Sequence, residues 1–260
     1  TLGASASPGV NVCNGTPLTL NGAGASTYTW SHGAVNGVPF TPTSSNTYTV
    51  TGTSAQGCTN TMTLSVSVKT KPIVSATKSP NINTCRNVPI TLNGSGANSY
   101  IWSSGVVNGQ SFTPNSTNTY TVTGLSSNGC TNTSTIIAVI YQLPTVTSTI
   151  SPGNASICLN ESVTLTGAGA TLYAWSGGVS NGQSFSPTST TTYTVMGTSS
   201  VGCTNTSTRT VTVKPLPNVN ASASPANSIC LNESVSLSGS GAASYVWSGS
   251  LSNGQNFTPT

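Results

Sequence analysis

Seven cysteines, two glutamates and one histidine have the strongest claim to chemistry in this 260-residue chain. The glutamates are Glu161 and Glu233, the histidine is His32, and Asp does not occur. Two carboxylates could hydrolyse a glycosidic bond if both faced one pocket. A Ser-His-acid set could carry out acyl transfer. Cysteine and histidine could hold zinc if they came in close pairs. Spacing argues against all three. Glu161 and Glu233 stand in the same phrase, "LNES", so they are one position of two successive repeats. His32 has no acid in its own repeat, and its counterparts are Ser104, Gly177 and Gly249. The cysteines lie far apart, two to a repeat. No catalytic residue, cofactor site or metal site is therefore expected, and the chain does not read as an enzyme. Calcium held between domains needs several carboxylates per joint, which a chain without Asp does not supply.

The cysteines keep a period. Trp30, Trp102, Trp175 and Trp247 recur roughly every 72 positions, and a fixed period of this length marks a repeat architecture. Cys13, Cys85, Cys158 and Cys230 each precede a Trp by one constant interval, and Cys58, Cys130 and Cys203 each follow one by another. The text between them recurs, as in "NTYTVTG" at 46–52 and 118–124. The chain divides into repeats 1–71, 72–143 and 144–216, with a truncated fourth at 217–260. It starts and stops inside repeats, so it reads as a fragment of a longer chain.

Within each repeat the apolar residues alternate. Leu18 and Leu20 share a face, as do Tyr28 and Trp30, and Tyr48 and Val50. Met62, Leu64, Val66 and Val68 read as an inward row. Period-2 alternation with one buried face is the mark of a half-buried strand. About seven short strands per repeat, parted by Asn36-Gly37, Gln56-Gly57 and their equivalents, predict an all-β chain of tandem immunoglobulin-like sandwiches. The expected core is Trp30, Trp102, Trp175 and Trp247 with Tyr48, Tyr120 and Tyr193. Arg209 falls in the inward phase of Leu64 and Ile136. It is expected at an edge, stem packed and head in water. Short Lys- and Pro-bearing joints predict a semi-rigid string of domains.

Two pairings of the cysteines follow from this frame. One joins neighbours across a joint, such as Cys58 with Cys85. The other closes each repeat on itself, as Cys13–Cys58, Cys85–Cys130 and Cys158–Cys203. The second is expected, because a small sandwich with a marginal core gains most from its own bridge. That is one disulfide per domain, with Cys230 paired beyond position 260. Each bridge should sit at one end of its sandwich, as a staple.

Charge sets further limits. Only 3% of residues are charged and the net charge is +4, spread thinly. Nucleic-acid binding and polybasic membrane contact both need clustered cations, so neither is expected. No apolar run approaches the ~20 residues of a membrane span. Sequons such as Asn14, Asn132 and Asn205 follow from a chain rich in Asn, Ser and Thr. Low charge leaves little repulsion against self-association.

The phrases "ICLNESVTLTGAGA", "SPTSTTTYTVMG" and "GCTNTSTRTVTVKPLP" resemble the Cys-containing Ig-like/PKD-like repeats of Bacteroidota surface proteins. The resemblance runs over essentially the whole chain. It implies secretion, commonly by the type IX system, and display at the outer membrane as an adhesin stalk, including the filaments of gliding cells. The binding region for a surface polysaccharide or other substratum would lie outside these residues. The same resemblance allows a spacer beside a secreted hydrolase; a separate alternative is that the repeats themselves bind carbohydrate.

Overall fold

The computed structural model describes residues 1–226 and 228–259. It forms two compact units, Thr1–Gln142 and Leu143–Thr260.

In the first unit, repeat 1 forms β1 (Gly3–Ser7), β2 (Asn11–Cys13), β3 (Leu18–Ala23), β4 (Thr27–Trp30), β5 (Pro39–Phe40), β6 (Asn46–Thr53) and β7 (Thr59–Lys69). Strands β1, β3 and β5 make one sheet in the order β1-β3-β5. The other sheet runs β2-β7-β6-β4. All pairs are antiparallel except β2 with β7. The opening stretch thus serves both sheets, β1 in one and β2 in the other. Two sheets of this order, packed face to face, are an immunoglobulin-like sandwich.

Repeat 2 continues with β8 (Ser75–Ser79), β9 (Thr84–Cys85), β10 (Ile90–Ser95), β11 (Ser99–Trp102), β12 (Ser111–Phe112), β13 (Asn118–Leu125), β14 (Thr131–Ala138) and β15 (Ile140–Tyr141). The β9–β15 pair is parallel, like β2 with β7. The second unit holds β16 (Thr147–Ser151), β17 (Ser156–Cys158), β18 (Val163–Ala168), β19 (Leu172–Trp175), β20 (Ser184–Phe185), β21 (Thr191–Thr198) and β22 (Thr204–Lys214). Here the sheets are β16-β18-β20 and β17-β22-β21-β19. Repeat 4 adds β23 (Asn220–Ser224), β24 (Val235–Ser240) and β25 (Asn256–Phe257), one sheet in that order.

Each of the first three repeats encloses its own core. In repeat 1, Leu18 and Leu20 of β3 pack against Trp30, Tyr48, Val50 and Val66 of the other sheet. The equivalents around Trp102 and Tyr120, and around Trp175 and Tyr193, form the other two cores. Trp30, Trp102 and Trp175 are buried, while Trp247 is half-buried. Burial pushes the Tyr48 phenol above its ordinary pKa.

Two local devices recur in all four repeats. The Tyr28 hydroxyl both donates to Ala25 O and accepts from Ala25 N, at 2.8 Å. Its ring occupies the space that a Cβ on Gly22 would need. Tyr100, Tyr173 and Tyr245 repeat the arrangement over Gly94, Gly167 and Gly239. Trp30 Nε1 donates to Asn36 Oδ1 at 3.1 Å, which also accepts from Gly22 N at 2.6 Å. Asn108, Asn181 and Asn253 do the same for Trp102, Trp175 and Trp247. The Asn-Gly turn is therefore not a hairpin here. It carries the chain from β4 in one sheet to β5 in the other, and its Asn satisfies the indole.

Three expectations are corrected. Met62 is exposed although it pairs with the buried Val50, because β2 flanks β7 only at Ser67–Lys69 and leaves its leading half as an open sheet edge. Arg209 lies on an open stretch of the β22 edge and is half-buried, but its head is held by the protein as well: Nη2 donates to Ser148 O of β16, and Nε is buried without a partner. The most consequential correction concerns the disulfides. Cys13–Cys58, Cys85–Cys130 and Cys158–Cys203 are not formed. Cys13 bonds Cys130, Cys58 and Cys158 are free, and Cys85 and Cys203 are each disulfide-bonded.

The physical reason is strand length. Cys13 pairs in register with Lys69, the last residue of β7, whereas Cys58 immediately precedes Thr59, its first. Strand β7 is 11 residues long, and at ~3.4 Å per residue it puts the two cysteines roughly 35 Å apart. A disulfide needs Cα atoms within about 7 Å. Cys85 and Cys130 flank β14 and β15 in the same way, and Cys158 and Cys203 flank β22. The two cysteines of a repeat mark opposite poles of its sandwich. The Cys13–Cys130 bond therefore joins repeat 1 to repeat 2 rather than closing a repeat on itself.

Candidate functional site at the repeat joint

The bonded cysteines meet where repeat 1 passes into repeat 2. On the repeat 1 side, β2 and β7 end side by side, and Asn14 N donates to Lys69 O at 2.8 Å. Both strands stop because Asn14-Gly15 turns away, Gly15 at φ +78°, and because Pro72 cannot extend a ladder. On the repeat 2 side stands the β13–β14 hairpin. Its turn closes through Ser126 N to Cys130 O at 2.9 Å and Gly129 N to Ser126 O at 3.0 Å, with Gly129 at φ +86°. That positive φ is what the Asn-Gly pair supplies.

Three side chains tie the hairpin to the joint. Asn128 Nδ2 donates to Thr70 O at 2.9 Å, while its Oδ1 accepts from Cys130 N at 3.0 Å. Lys69 Nζ donates to Asn128 O at 3.1 Å. Asn132 Nδ2 donates to Pro72 O at 3.0 Å. Pro72 and Cys130 are buried. The Cys13–Cys130 bond, with its Cα atoms 5.7 Å apart, closes the joint covalently. In the second unit, Asn205 Nδ2 donates to Pro144 O at 3.0 Å, one repeat on from Asn132 and Pro72.

These bonds fix the geometry of the joint. The backbone and the disulfide cross the joint in parallel, so force between repeats has two covalent paths. The hydrogen bonds add directional restraint, each worth about 1 kcal/mol in such settings.

The residues weighed for chemistry have other occupations. Glu161 Oε2 accepts from Cys158 N at 2.8 Å, and Glu233 Oε2 accepts from Cys230 N at 3.0 Å. Both close the turn after a first cysteine, with Asn160 and Asn232 at positive φ. His32 sits in the left-handed region at φ 58°, its ring edge-on to Tyr48 at 5.5 Å. Among the described residues no group of three His, Cys, Asp or Glu side chains gathers to hold a metal. No helix among them is long and apolar enough to cross a membrane. Cys58, Cys158 and Cys230 are exposed free thiols.

The joint was missed in the sequence because Asn128 looks like a turn residue and Asn132 and Asn205 look like sequons. The available signal was an Asn placed alike after every second cysteine: Asn60, Asn132 and Asn205.

No family model and no curated protein matches the chain. Solved structures give faint likenesses. A Ca2+-stabilised adhesin of an Antarctic bacterium, described as reaching out to bind ice, is 14% identical over 92% of this chain and 82% of its own, with a TM-score of 0.27. An I-band fragment of titin is 11% identical over 79% of this chain and 95% of its own, with a TM-score of 0.32. A bacterial ice-binding adhesin is 15% identical over 83% of this chain and 98% of its own, with a TM-score of 0.25. None of these likenesses transfers an activity.

Proposed function

We propose that this chain is a tension-carrying stalk segment of a secreted cell-surface adhesin, built from domains 1–71, 72–143, 144–216 and the start of another at 217–260. One observation carries the reading: the Cys13–Cys130 bond, which welds repeat 1 to repeat 2 across their joint. A covalent tie at a joint adds little to either core but opposes bending and extension, which is what a stalk requires. Disulfides persist in oxidising compartments, so the bond also supports a location outside the cytoplasm. Likeness of the repeat text to Bacteroidota surface repeats supports type IX export, attachment at the outer membrane and a role in surface attachment or gliding. The stalk would hold out a binding region for polysaccharide or substratum that lies outside these residues. It takes no cofactor and no nucleic acid.

Force spectroscopy on the whole chain, held by its termini, tests this. Reductant should lengthen the fully extended chain by at least about 40 nm, since the bond spans 117 residues of ~3.5 Å each. Equal lengths with and without reductant would overturn the reading.

A further inference from the structure

An Asn side-chain amide is open to attack by the next backbone nitrogen when that residue is Gly, which has no side chain in the way. The chain has eight Asn-Gly steps, at 14–15, 21–22, 36–37, 93–94, 108–109, 128–129, 181–182 and 253–254. In all but the first, the glycine N–H is already bonded. Gly37, Gly109 and Gly182 donate to Leu20, Leu92 and Leu165 O at 2.9 Å, and Gly254 donates to Leu237 O at 2.8 Å. Gly22 and Gly94 donate to Oδ1 of Asn36 and Asn108 at 2.6 Å, and Gly129 donates to Ser126 O at 3.0 Å.

Asn14–Gly15 differs. Among the described residues, neither the Asn14 side chain nor Gly15 N has a hydrogen-bond partner. The turn closes around them, by Thr16 N donating to Cys13 O at 2.9 Å. Both residues are exposed. Repeat 2 is in place here through Cys13–Cys130, so this exposure belongs to the assembled joint. Lys71 Nζ stands over the step, 3.7 Å from where a Cβ on Gly15 would lie. An ammonium so placed favours loss of the Gly15 amide proton and stabilises the oxyanion that forms on Asn14.

We propose that Asn14–Gly15 is a self-modification site, at which the joint acquires a carboxylate by deamidation. Gly15 N gives up its proton and bonds to Asn14 Cγ. The bond from Cγ to Nδ2 breaks and ammonia leaves, carrying that proton. Water then opens the cyclic imide: its hydroxyl bonds to one carbonyl carbon, the ring C–N bond there breaks, and the nitrogen takes back a proton. Opening at Cγ yields aspartate, and opening at the Asn14 backbone carbonyl carbon yields isoaspartate. Either product sets a carboxylate beside Lys71, in a stretch whose first acid is otherwise Glu161, and lowers the net charge of +4 by one.

The test ages the full chain at mildly alkaline pH. Ion exchange follows the loss of charge, and peptide mass spectrometry locates it. Asn14 should convert at least about fivefold faster than any other Asn-Gly step, since each of the others must first break a glycine hydrogen bond. In concentrated urea with reductant, where those bonds are lost, the rates should converge. Lys71→Gln should slow conversion of Asn14 about threefold, and Lys71→Arg should restore it. Conversion spread evenly over the folded chain, a faster step elsewhere, or a lead for Asn14 that persists in urea would each overturn the proposal. An unchanged rate in Lys71→Gln would overturn the part given to Lys71. The stalk reading enters none of these outcomes.

Discussion

Cys13 and Cys130 lie 5.7 Å apart between Cα atoms although 117 residues separate them, whereas Cys58, far nearer to Cys13 in the chain, is a full strand length away. The sandwich carries its two cysteines to opposite poles, and only the pole of the next repeat brings a partner within reach. Non-reducing peptide mapping should therefore recover a peptide pair containing 13 and 130. A pair containing 13 and 58 would contradict the topology.

Parallel covalent paths have a direct consequence for proteolysis. Cleavage of the Lys69–Thr70 bond should leave one species on a non-reducing gel, because Cys13 and Cys130 stand on opposite sides of the cut. Reduction should then release two fragments. Release without reductant would show that the bridge does not span the joint.

The amides at the joint should protect its disulfide. Asn128→Ala removes the bonds to Thr70 O and Cys130 N, and Asn132→Ala removes the bond to Pro72 O. At about 1 kcal/mol per hydrogen bond, Asn132→Ala should speed reduction of Cys13–Cys130 by dithiothreitol about fivefold, and Asn128→Ala, which removes two bonds, about thirtyfold. Melting of the separate cores should change little.

Inside the sandwich, Gly22 and Tyr28 form a lock. Gly22→Ala drives a methyl group into the Tyr28 ring, in a packed site with no room to yield. Overpacking of this kind costs about 1–3 kcal/mol. The loss should fall when Tyr28 is also replaced by Ala, so calorimetry on the two singles and the double should reveal strong non-additivity. Additive losses would mean that the contact is not the cause. Asn36→Ala strips a partner from both Trp30 Nε1 and Gly22 N, and should cost about 2 kcal/mol.

Alkaline pH should selectively weaken repeat 1. Burial raises the Tyr48 pKa, so the folded state keeps its proton after the unfolded state has begun to lose it near pH 10. The unfolded chain then binds fewer protons, and stability falls as pH rises through this range. The contribution is complete below the unfolded value and is lost as pH climbs through the folded one. Tyr48→Phe should flatten the dependence when urea melts are compared at pH 8 and pH 11 with the free thiols alkylated. An unchanged slope would assign it elsewhere.

Much of the fold was legible because sandwich strands are written in a period of two. Leu18, Leu20, Tyr48 and Val50 alternate with Thr and Asn, and the side chain that points inward is decided locally by the pleat. Met62 and Arg209 escaped that logic. Alternation tells which way a residue points but not whether a neighbouring strand covers it, so an inward phase on an open sheet edge reads like one in the middle of a sheet.

The cysteines show where the division falls. By itself the sequence determined that they repeat with the Trp and that each of the first three repeats carries two. Their partners were decided by tertiary structure alone. Separation along the chain favours the short loop from Cys13 to Cys58 over the long one to Cys130, but loop entropy changes only by the logarithm of length. Strand rise is linear, and the full length of β7 places Cys58 beyond any bridge to Cys13. The joint then brings the next repeat's hairpin against that pole, and the disulfide forms between domains.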